Sequence, residues 1–170
     1  NDHKELGKEG YRIDIQDYVK VEAYDETGIL YAGMTLTHIL SSNKEEPTLP
    51  KGIIRDYPQY PMRGGMMDVA RKYFELDYIE EVGKYMAWFK MNTFHLHINE
   101  DSGLGGEYSS SFVVESKKYP QLNTYNKGYI WSQEDYKQMQ KNLKEYGVQV
   151  VTEIDTPGHA TIFDLIKQEI

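Results

Sequence analysis

The sequence from residue 63 onwards predicts an α/β fold with a parallel sheet, and two observations carry this prediction. Short apolar segments of strand type alternate along the chain with segments in which apolar residues recur at helical spacing. This alternation is typical of βαβ units, whose strands pair in parallel. Polar residues also cluster directly after each predicted strand, which is where such folds place their functional groups.

Two helices separate the three predicted strands. The first helix begins at Asp77, a favourable N-cap residue, and continues with apolar residues at helical spacing. The second begins at Ser132 in a capping-box pattern and ends at Gly147, a natural residue after a helix. The last strand has the near-continuous apolar character of a buried parallel strand. The strands are predicted over residues 66–69, 93–98 and 148–155.

An earlier segment, residues 10–40, predicts two short strands and a helix. Apolar residues alternate over 11–15 and again over 19–23, with a turn between them at 16–17. Residues 29–40 predict the end of a strand that runs into a helix. Two strands and one helix are too few for an independent domain. The segment is therefore interpreted as the end of a larger small domain of α+β type.

Proline content marks a boundary between these two regions. Residues 41–62 hold four of the six prolines together with a charged patch, and within them 53–56 predicts a short extended piece. The predicted organisation is therefore the C-terminal part of a small α/β domain at 1–45, a linker at 46–62, and a larger α/β domain that starts at 63 and runs to 170.

Composition excludes several classes of function. The formal net charge is −8 and the isoelectric point is about 5.1, so there is no basic surface for nucleic acid. No apolar run approaches the roughly 18 residues of a membrane span. The sequence has no cysteine, which removes disulfides and thiolate metal sites. Its first ten residues lack the apolar core of a signal peptide.

The polar clusters at 68–71, 99–101 and 155–159 are predicted to form one site, here called the rim. The guanidinium of Arg71 suits two adjacent sugar hydroxyls or a carboxylate such as Asp68. The neighbouring carboxylates of Glu100 and Asp101 suit a charged or hydroxylated ligand, and a solvated acidic loop is the other interpretation that the sequence leaves open. In the third cluster, a Pro-Gly turn holds His159 where a carboxylate can orient its imidazole.

A metal site is the alternative for the histidines. His95 and His97 alternate on one strand, so both imidazoles face the same side. Together with His159 they match the ligand type of a metal-dependent barrel hydrolase. The other interpretation is that they are inward-facing residues hydrogen-bonded to neighbouring strands, and the sequence leaves both open.

Two long motifs resemble glycoside hydrolase family 20, the β-N-acetylhexosaminidases. The segment RGGMMDVARKYFELDYIEEVGKYMAWFKMNTFHLHINED (63–101) is similar to the start of that family's catalytic barrel, and YGVQVVTEIDTPGHA (146–160) is similar to its third strand. Residues 10–40 resemble the end of the small domain that precedes the barrel. The stretch FVVESKKYP (112–120) and the serine-rich loop before it favour the Gram-positive branch, which includes lacto-N-biosidases.

The resemblance implies a (β/α)8 TIM barrel and assigns roles to four residues of this sequence. Arg71 matches the arginine that binds the sugar hydroxyls at C3 and C4. His159, a catalytic residue, matches the histidine that hydrogen-bonds toward the general acid. Glu100 supports His159 from a position that is usually Asp in the family, and Asp101 follows as a substrate-binding residue. No metal and no cofactor are implied.

The implied reaction is retaining hydrolysis of a terminal N-acetylhexosamine from a glycan, in which the substrate's 2-acetamido carbonyl is the nucleophile. The family's general acid Glu and its Asp partner follow the fourth strand, so we expect them beyond residue 170. The chain is thus expected to be an N-terminal fragment with about three barrel strands. Alone, it is expected to be inactive and to self-associate or pair with the missing barrel half. The parent is expected to be a secreted or cell-surface bacterial protein. A non-catalytic carbohydrate-binding or assembly module is the second alternative.

Overall fold

The computed structural model describes residues 3–42, 45–101, 112–126 and 128–167. The chain forms two compact units, Asn1–Met62 and Arg63–Ile170. Among the helices in the described ranges, none has the length and apolar character needed to cross a membrane.

A three-stranded antiparallel sheet and one helix make up the first unit. Its central strand β1 pairs with both neighbours, so that Ile13 lies opposite Val21 on one side and Ile54 on the other. Alternate residues of β1 are buried, as expected when one face of a sheet is covered. The elements are β1 (Tyr11–Ile15), β2 (Val19–Ala23), α1 (Glu26–Ser42) and β3 (Gly52–Asp56), with strand order β2-β1-β3.

The core of this unit lies between β1 and α1. Tyr11, Ile13 and Ile15 pack with Tyr31 and Ala32 of the helix, and each of the five is exposed by 3% or less. Full burial of an isoleucine side chain such as that of Ile13 is worth about 1.5–3 kcal/mol. The Tyr11 hydroxyl donates a hydrogen bond of 2.8 Å to Oδ2 of Asp56, so its polar end is satisfied as well.

Two expectations for this unit are wrong. Helix α1 begins at Glu26, so residues 29–31 are helical and not the end of a strand. The reason is that Oδ1 of Asp25 accepts the N–H of Gly28 at 2.9 Å, which satisfies a donor in the first helical turn. In addition, β3 lies inside the stretch interpreted as a linker, because residues 52–56 pair with β1 along its whole length.

The second unit is a parallel sheet with helices between its strands, which confirms the predicted fold class. Strand β5 is central, and the last residue of each strand lies in register, because Asp68 pairs with His97 and His97 pairs with Glu153. The main elements are β4 (Gly64–Asp68), α2 (Leu76–Trp88), β5 (Thr93–His97), α3 (Gln133–Glu145) and β6 (Gln149–Glu153). Short helices at Pro120–Asn126, Thr161–Phe163 and Asp164–Lys167 complete it.

The helix starts agree in part with expectation. Ser132 is confirmed as an N-cap, since its hydroxyl oxygen accepts the N–H of Asp135 at 3.0 Å. Asp77 is not the N-cap of α2; Glu75 holds that position without a side-chain capping bond, and Asp77 lies in the first turn. Asp77 is still favourable there, because a carboxylate near a helix N-terminus interacts well with the helix dipole.

Candidate active site

Glu100 lies at the centre of the rim. Its side chain is almost completely buried, although it carries a carboxylate. Oε1 accepts the N–H of Asp101 at 2.8 Å and lies 2.7 Å from Nδ1 of His159. Oε2 lies 2.5 Å from Nη2 of Arg71, an ion pair without hydrogen-bond geometry. A buried charge is costly unless it is paired, so Arg71 and His159 are what allow this carboxylate to be buried.

A second carboxylate, that of Asp68, holds Arg71 from the other side. Oδ1 of Asp68 accepts the N–H groups of Ala70 and Arg71, each at 3.0 Å, and Oδ2 lies 2.5 Å from Nη1 of Arg71. Partial burial opposes ionisation, but these hydrogen bonds outweigh it and lower the pKa of Asp68. The hydrogen bond to Asp68 in turn raises the pKa of Arg71. The Arg71 side chain remains 52% exposed, so its guanidinium is both fixed and accessible.

The imidazole of His159 has a defined orientation. Nδ1 lies 2.7 Å from Oε1 of Glu100 and 3.2 Å from Nη2 of Arg71. A carboxylate accepts and a guanidinium only donates, so the bond to Glu100 requires the proton on Nδ1. The opposite nitrogen, Nε2, is then directed away from Glu100. The hydrogen bond with Glu100 raises the pKa of His159, against opposition from desolvation and from Arg71.

Asp101 contacts the backbone that follows His159. Its Oδ1 accepts the N–H of Thr161 at 3.0 Å, and this hydrogen bond is the main cause that lowers the pKa of Asp101. The structure therefore places Asp101 at the rim with one carboxylate oxygen bound to the protein itself. Its predicted role as a substrate-binding residue stays a prediction.

Beneath the rim, the two strand histidines share one carboxylate. His95 and His97 face the same side, as predicted, and both contact Glu153 of the neighbouring strand. The His97 contact joins Nδ1 to Oε1 at 2.7 Å, and it is the main cause that lowers the pKa of Glu153. The ring of His97 also meets the ring of His159 edge to face, with centroids 5.5 Å apart.

The three-histidine metal site is not formed. Within the described ranges, two groups have ligand atoms close enough for one ion, and each contains a single histidine, His97 in one and His159 in the other. In the group with His159, the guanidinium of Arg71 lies against Glu100 and disfavours a second cation. In the group with His97, the carboxylate of Glu153 is already paired with two imidazoles.

Sequence reasoning assigned no role to two residues of the site. Glu153 ends β6 in register with His97, and a carboxylate at the end of a predicted parallel strand was the available signal. Asn99 belongs to the predicted 99–101 cluster of the rim and is fully buried. Its signal was weaker, because an amide beside two acids is also common in a solvated loop.

Comparisons with known proteins point to one family. The model of the glycosyl hydrolase family 20 catalytic domain matches residues 60–169, and that of the family's domain 2 matches residues 1–57. The chain is 32% identical to the N,N'-diacetylchitobiase of Vibrio harveyi over 92% of its own length and 20% of that protein. It is 34% identical to β-hexosaminidase subunit B1 of Dictyostelium discoideum, covering 89% of itself and 27% of that relative.

Solved structures give the same result. The β-N-acetylhexosaminidase of Bacteroides fragilis superimposes with a TM-score of 0.80 at 29% identity, over 94% of this chain and 34% of that one. The Flavobacterium johnsoniae chitobiase superimposes with a TM-score of 0.82 at 29% identity, over 95% of this chain and 24% of that one. The predicted kinship with the Gram-positive branch stays a prediction.

These matches cover only part of each relative's length. The chain spans between 20% and 27% of the length of the curated relatives named above. The parallel sheet of the second unit corresponds to part of the TIM barrel in these structures, as the sequence predicts. With both of its units matched by models of successive domains of the same enzyme family, the chain belongs to glycosyl hydrolase family 20.

Proposed function

We propose that this chain forms part of the active site of a β-N-acetylhexosaminidase, which hydrolyses terminal N-acetylhexosamine from glycans. The observation that carries the proposal is the guanidinium of Arg71. It is clamped between Asp68 and the buried Glu100, yet half of the side chain is open to solvent at the carboxyl ends of parallel strands. This is the edge at which TIM-barrel enzymes bind their substrates.

Arg71 suits a sugar because its donors are fixed in direction. A guanidinium carries five N–H groups in a planar fork, and Asp68 and Glu100 engage only some of them. The remaining donors match two adjacent hydroxyl oxygens of a pyranose ring. The names of the relatives, chitobiase and β-hexosaminidase, support an N-acetylated amino sugar as the substrate.

His159 and Glu100 suit a supporting role for proton transfer. The Nδ1–H of His159 is committed to Glu100, which leaves Nε2 for a neighbouring group. An imidazole held in this way can hydrogen-bond a general acid and stabilise its charge as the proton leaves. The resemblance assigns the general acid and its Asp partner to the fourth barrel strand, which no described residue forms.

The proposal is tested with the protein expressed from its complete reading frame. We expect it to release p-nitrophenol from p-nitrophenyl-N-acetylglucosaminide, and we expect R71K to raise KM by about tenfold or more, because a lysine cannot reproduce the fork. R12K is the matched control, since Arg12 pairs with Asp14 and Glu22 in the first unit. Sugar binding without any turnover would instead favour a carbohydrate-binding module.

A further inference from the structure

Three consecutive residues after β5 each contact the segment from Asp155 to Thr161. Glu100 contacts the imidazole of His159, as described above. The residues on either side of Glu100 contact the backbone on either side of that imidazole. Asn99 bonds to the start of the segment and to His159 itself, and Asp101 accepts the N–H of Thr161.

Asn99 makes the larger share of these backbone contacts. Its Nδ2 donates to the carbonyl oxygen of Asp155 at 3.1 Å and to that of His159 at 2.7 Å. Its Oδ1 accepts the N–H of Asp155 at 2.8 Å. The side chain is fully buried. A buried amide with three backbone partners fixes those partners relative to its own strand, because each lost bond would leave a buried polar group unsatisfied.

The backbone of His159 needs such a restraint. Its φ is +52°, in the left-handed region that a residue with a side chain rarely adopts. Such a conformation is maintained only when the surroundings determine it. Among the described contacts, the hydrogen bond from Asn99 to the carbonyl oxygen of His159 restrains the backbone of His159.

We propose that Asn99 is a positioning residue that holds the imidazole of His159 on the carboxylate of Glu100. This inference rests on the proposed function only for its effect on catalysis, since the geometry itself is independent of it. Five charged or titratable groups face His159 from the elements around it. They are Glu100, Asp101, Arg71, Asp155 and His97.

The test compares N99D with N123D in the protein from the complete reading frame. N99D keeps an oxygen that accepts the N–H of Asp155. It replaces Nδ2 with a carboxylate oxygen, which then lies against the carbonyl oxygens of Asp155 and His159. Asn123 is a matched control because it has the same bonding pattern: its Nδ2 donates to Phe112 and Val114 at 2.9 and 3.0 Å, and its Oδ1 accepts the N–H of Ser116 at 2.7 Å. Each variant loses two donors to backbone carbonyls.

The first measurement is the titration of His159 by NMR of imidazole nitrogens, assigned by the signal lost in H159Q. We expect N99D to shift the Nδ1 resonance of His159, with N123D unchanged. We expect N99S, which adds no charge near the imidazole, to lower the pKa of His159 toward its ordinary value. In the enzyme assay we expect N99D to lower kcat by about tenfold or more and to leave KM within about twofold. N99S also replaces N99D in this assay if N99D does not fold.

The outcomes separate this inference from the proposed function. An unchanged His159 signal in folded N99D or N99S overturns the positioning role, and so does an equal shift in N123D. A shifted His159 signal in a protein without any glycosidase turnover supports the positioning role and contradicts the proposed function.

Discussion

His159 and Glu100 form a charge pair in which the carboxylate is buried and the imidazole is not. Their Nδ1 and Oε1 atoms are 2.7 Å apart, and the Glu100 side chain is 2% exposed against 41% for His159. The pKa of His159 is raised above 6.5, first by this hydrogen bond. A histidine whose pKa is raised on folding stabilises the native state fully below its unfolded pKa, and this stabilisation is lost as the pH rises through the folded pKa.

H159Q is therefore expected to lose stability relative to the unchanged protein in a pH-dependent way. The difference in the free energy of unfolding should be largest below about pH 6 and should shrink as the pH rises through the raised pKa of His159. Denaturant unfolding at a series of pH values measures it. In an E100Q background, the loss of stability caused by H159Q should depend little on pH. A pH dependence that remains in that background would contradict the pairing of His159 with Glu100.

Asp68 controls the direction of Arg71, so D68N should weaken sugar binding. Asparagine keeps an oxygen for the N–H groups of Ala70 and Arg71 but loses the charge that holds Nη1. Exposed ion pairs contribute about 0.2–1 kcal/mol to stability, so the thermal midpoint should change little. We expect KM for an N-acetylglucosaminide to rise by about three- to tenfold, with kcat less affected.

A matched control for D68N is D14N, because Asp14 also pairs with an arginine but lies in the first unit. An equal rise in KM for D14N would show that the effect is not local. The pKa of Asp68 is lowered in the folded protein, so its contribution to stability is present above about pH 4 and is lost as the pH falls through the lowered pKa. The binding defect of D68N should accordingly be measured near neutral pH.

Much of the arrangement of this site could be predicted from short-range patterns in the sequence. Alternate residues of a strand face one side, which was enough to predict that His95 and His97 act together. Parallel strands end at one edge, which was enough to bring Arg71, Glu100 and His159 to one rim. Neither rule predicts which residue each side chain contacts. These contacts depend on strand register and side-chain rotamer, which a single sequence does not specify.

The predicted element boundaries were wrong where a hydrogen bond or strand pairing outweighed local secondary-structure propensity. Residues 29–31 have apolar and aromatic side chains that also suit a strand, but the bond from Asp25 to Gly28 starts the helix before them. The extended piece predicted at 53–56 is part of strand β3, which follows two prolines and pairs with a strand distant in sequence, so its place in the sheet is known only from the complete sheet. Glu153 was predicted as part of a strand but not as the partner of two histidines, because that pairing joins residues of neighbouring strands.

Close packing between α2 and α3 makes Gly83 intolerant of a side chain. A Cβ at this position would lie 2.5 and 2.6 Å from the two Cδ atoms of Leu143, which is fully buried. Alanine gains about 1 kcal/mol in helix propensity, but overpacking costs about 1–3 kcal/mol. The net expectation is that G83A lowers the free energy of unfolding by up to about 2 kcal/mol.

Gly33 provides the control for this prediction, because a Cβ there meets no atom within 4 Å. G33A on α1 should stabilise the protein by about 0.5–1 kcal/mol. Denaturant unfolding compares both variants, and L143A tests the mechanism. In that background the penalty of G83A should disappear, with a coupling above about 0.5 kcal/mol; strictly additive effects would rule out the steric explanation.

Exposed apolar residues on β6 and after it predict self-association of the 170-residue chain. In the described sheet, β4 and β6 are the outer strands, and Val151 and Ile154 are 41% and 56% exposed. Outer strands with exposed apolar side chains pair readily with other chains. We expect size-exclusion chromatography with light scattering to give the isolated chain a mass above the 19.8 kDa of its monomer.

V151K should reduce this association, because lysine on an outer strand opposes strand addition. The control is V21K in the first unit, at a residue of similar exposure, 37%. If the association proceeds through β6, V151K should shift the chain toward the monomer by about tenfold in apparent Kd, and V21K should change it by less than about threefold. A chain that is monomeric at concentrations of about 100 µM without any substitution would show that these outer strands do not drive assembly.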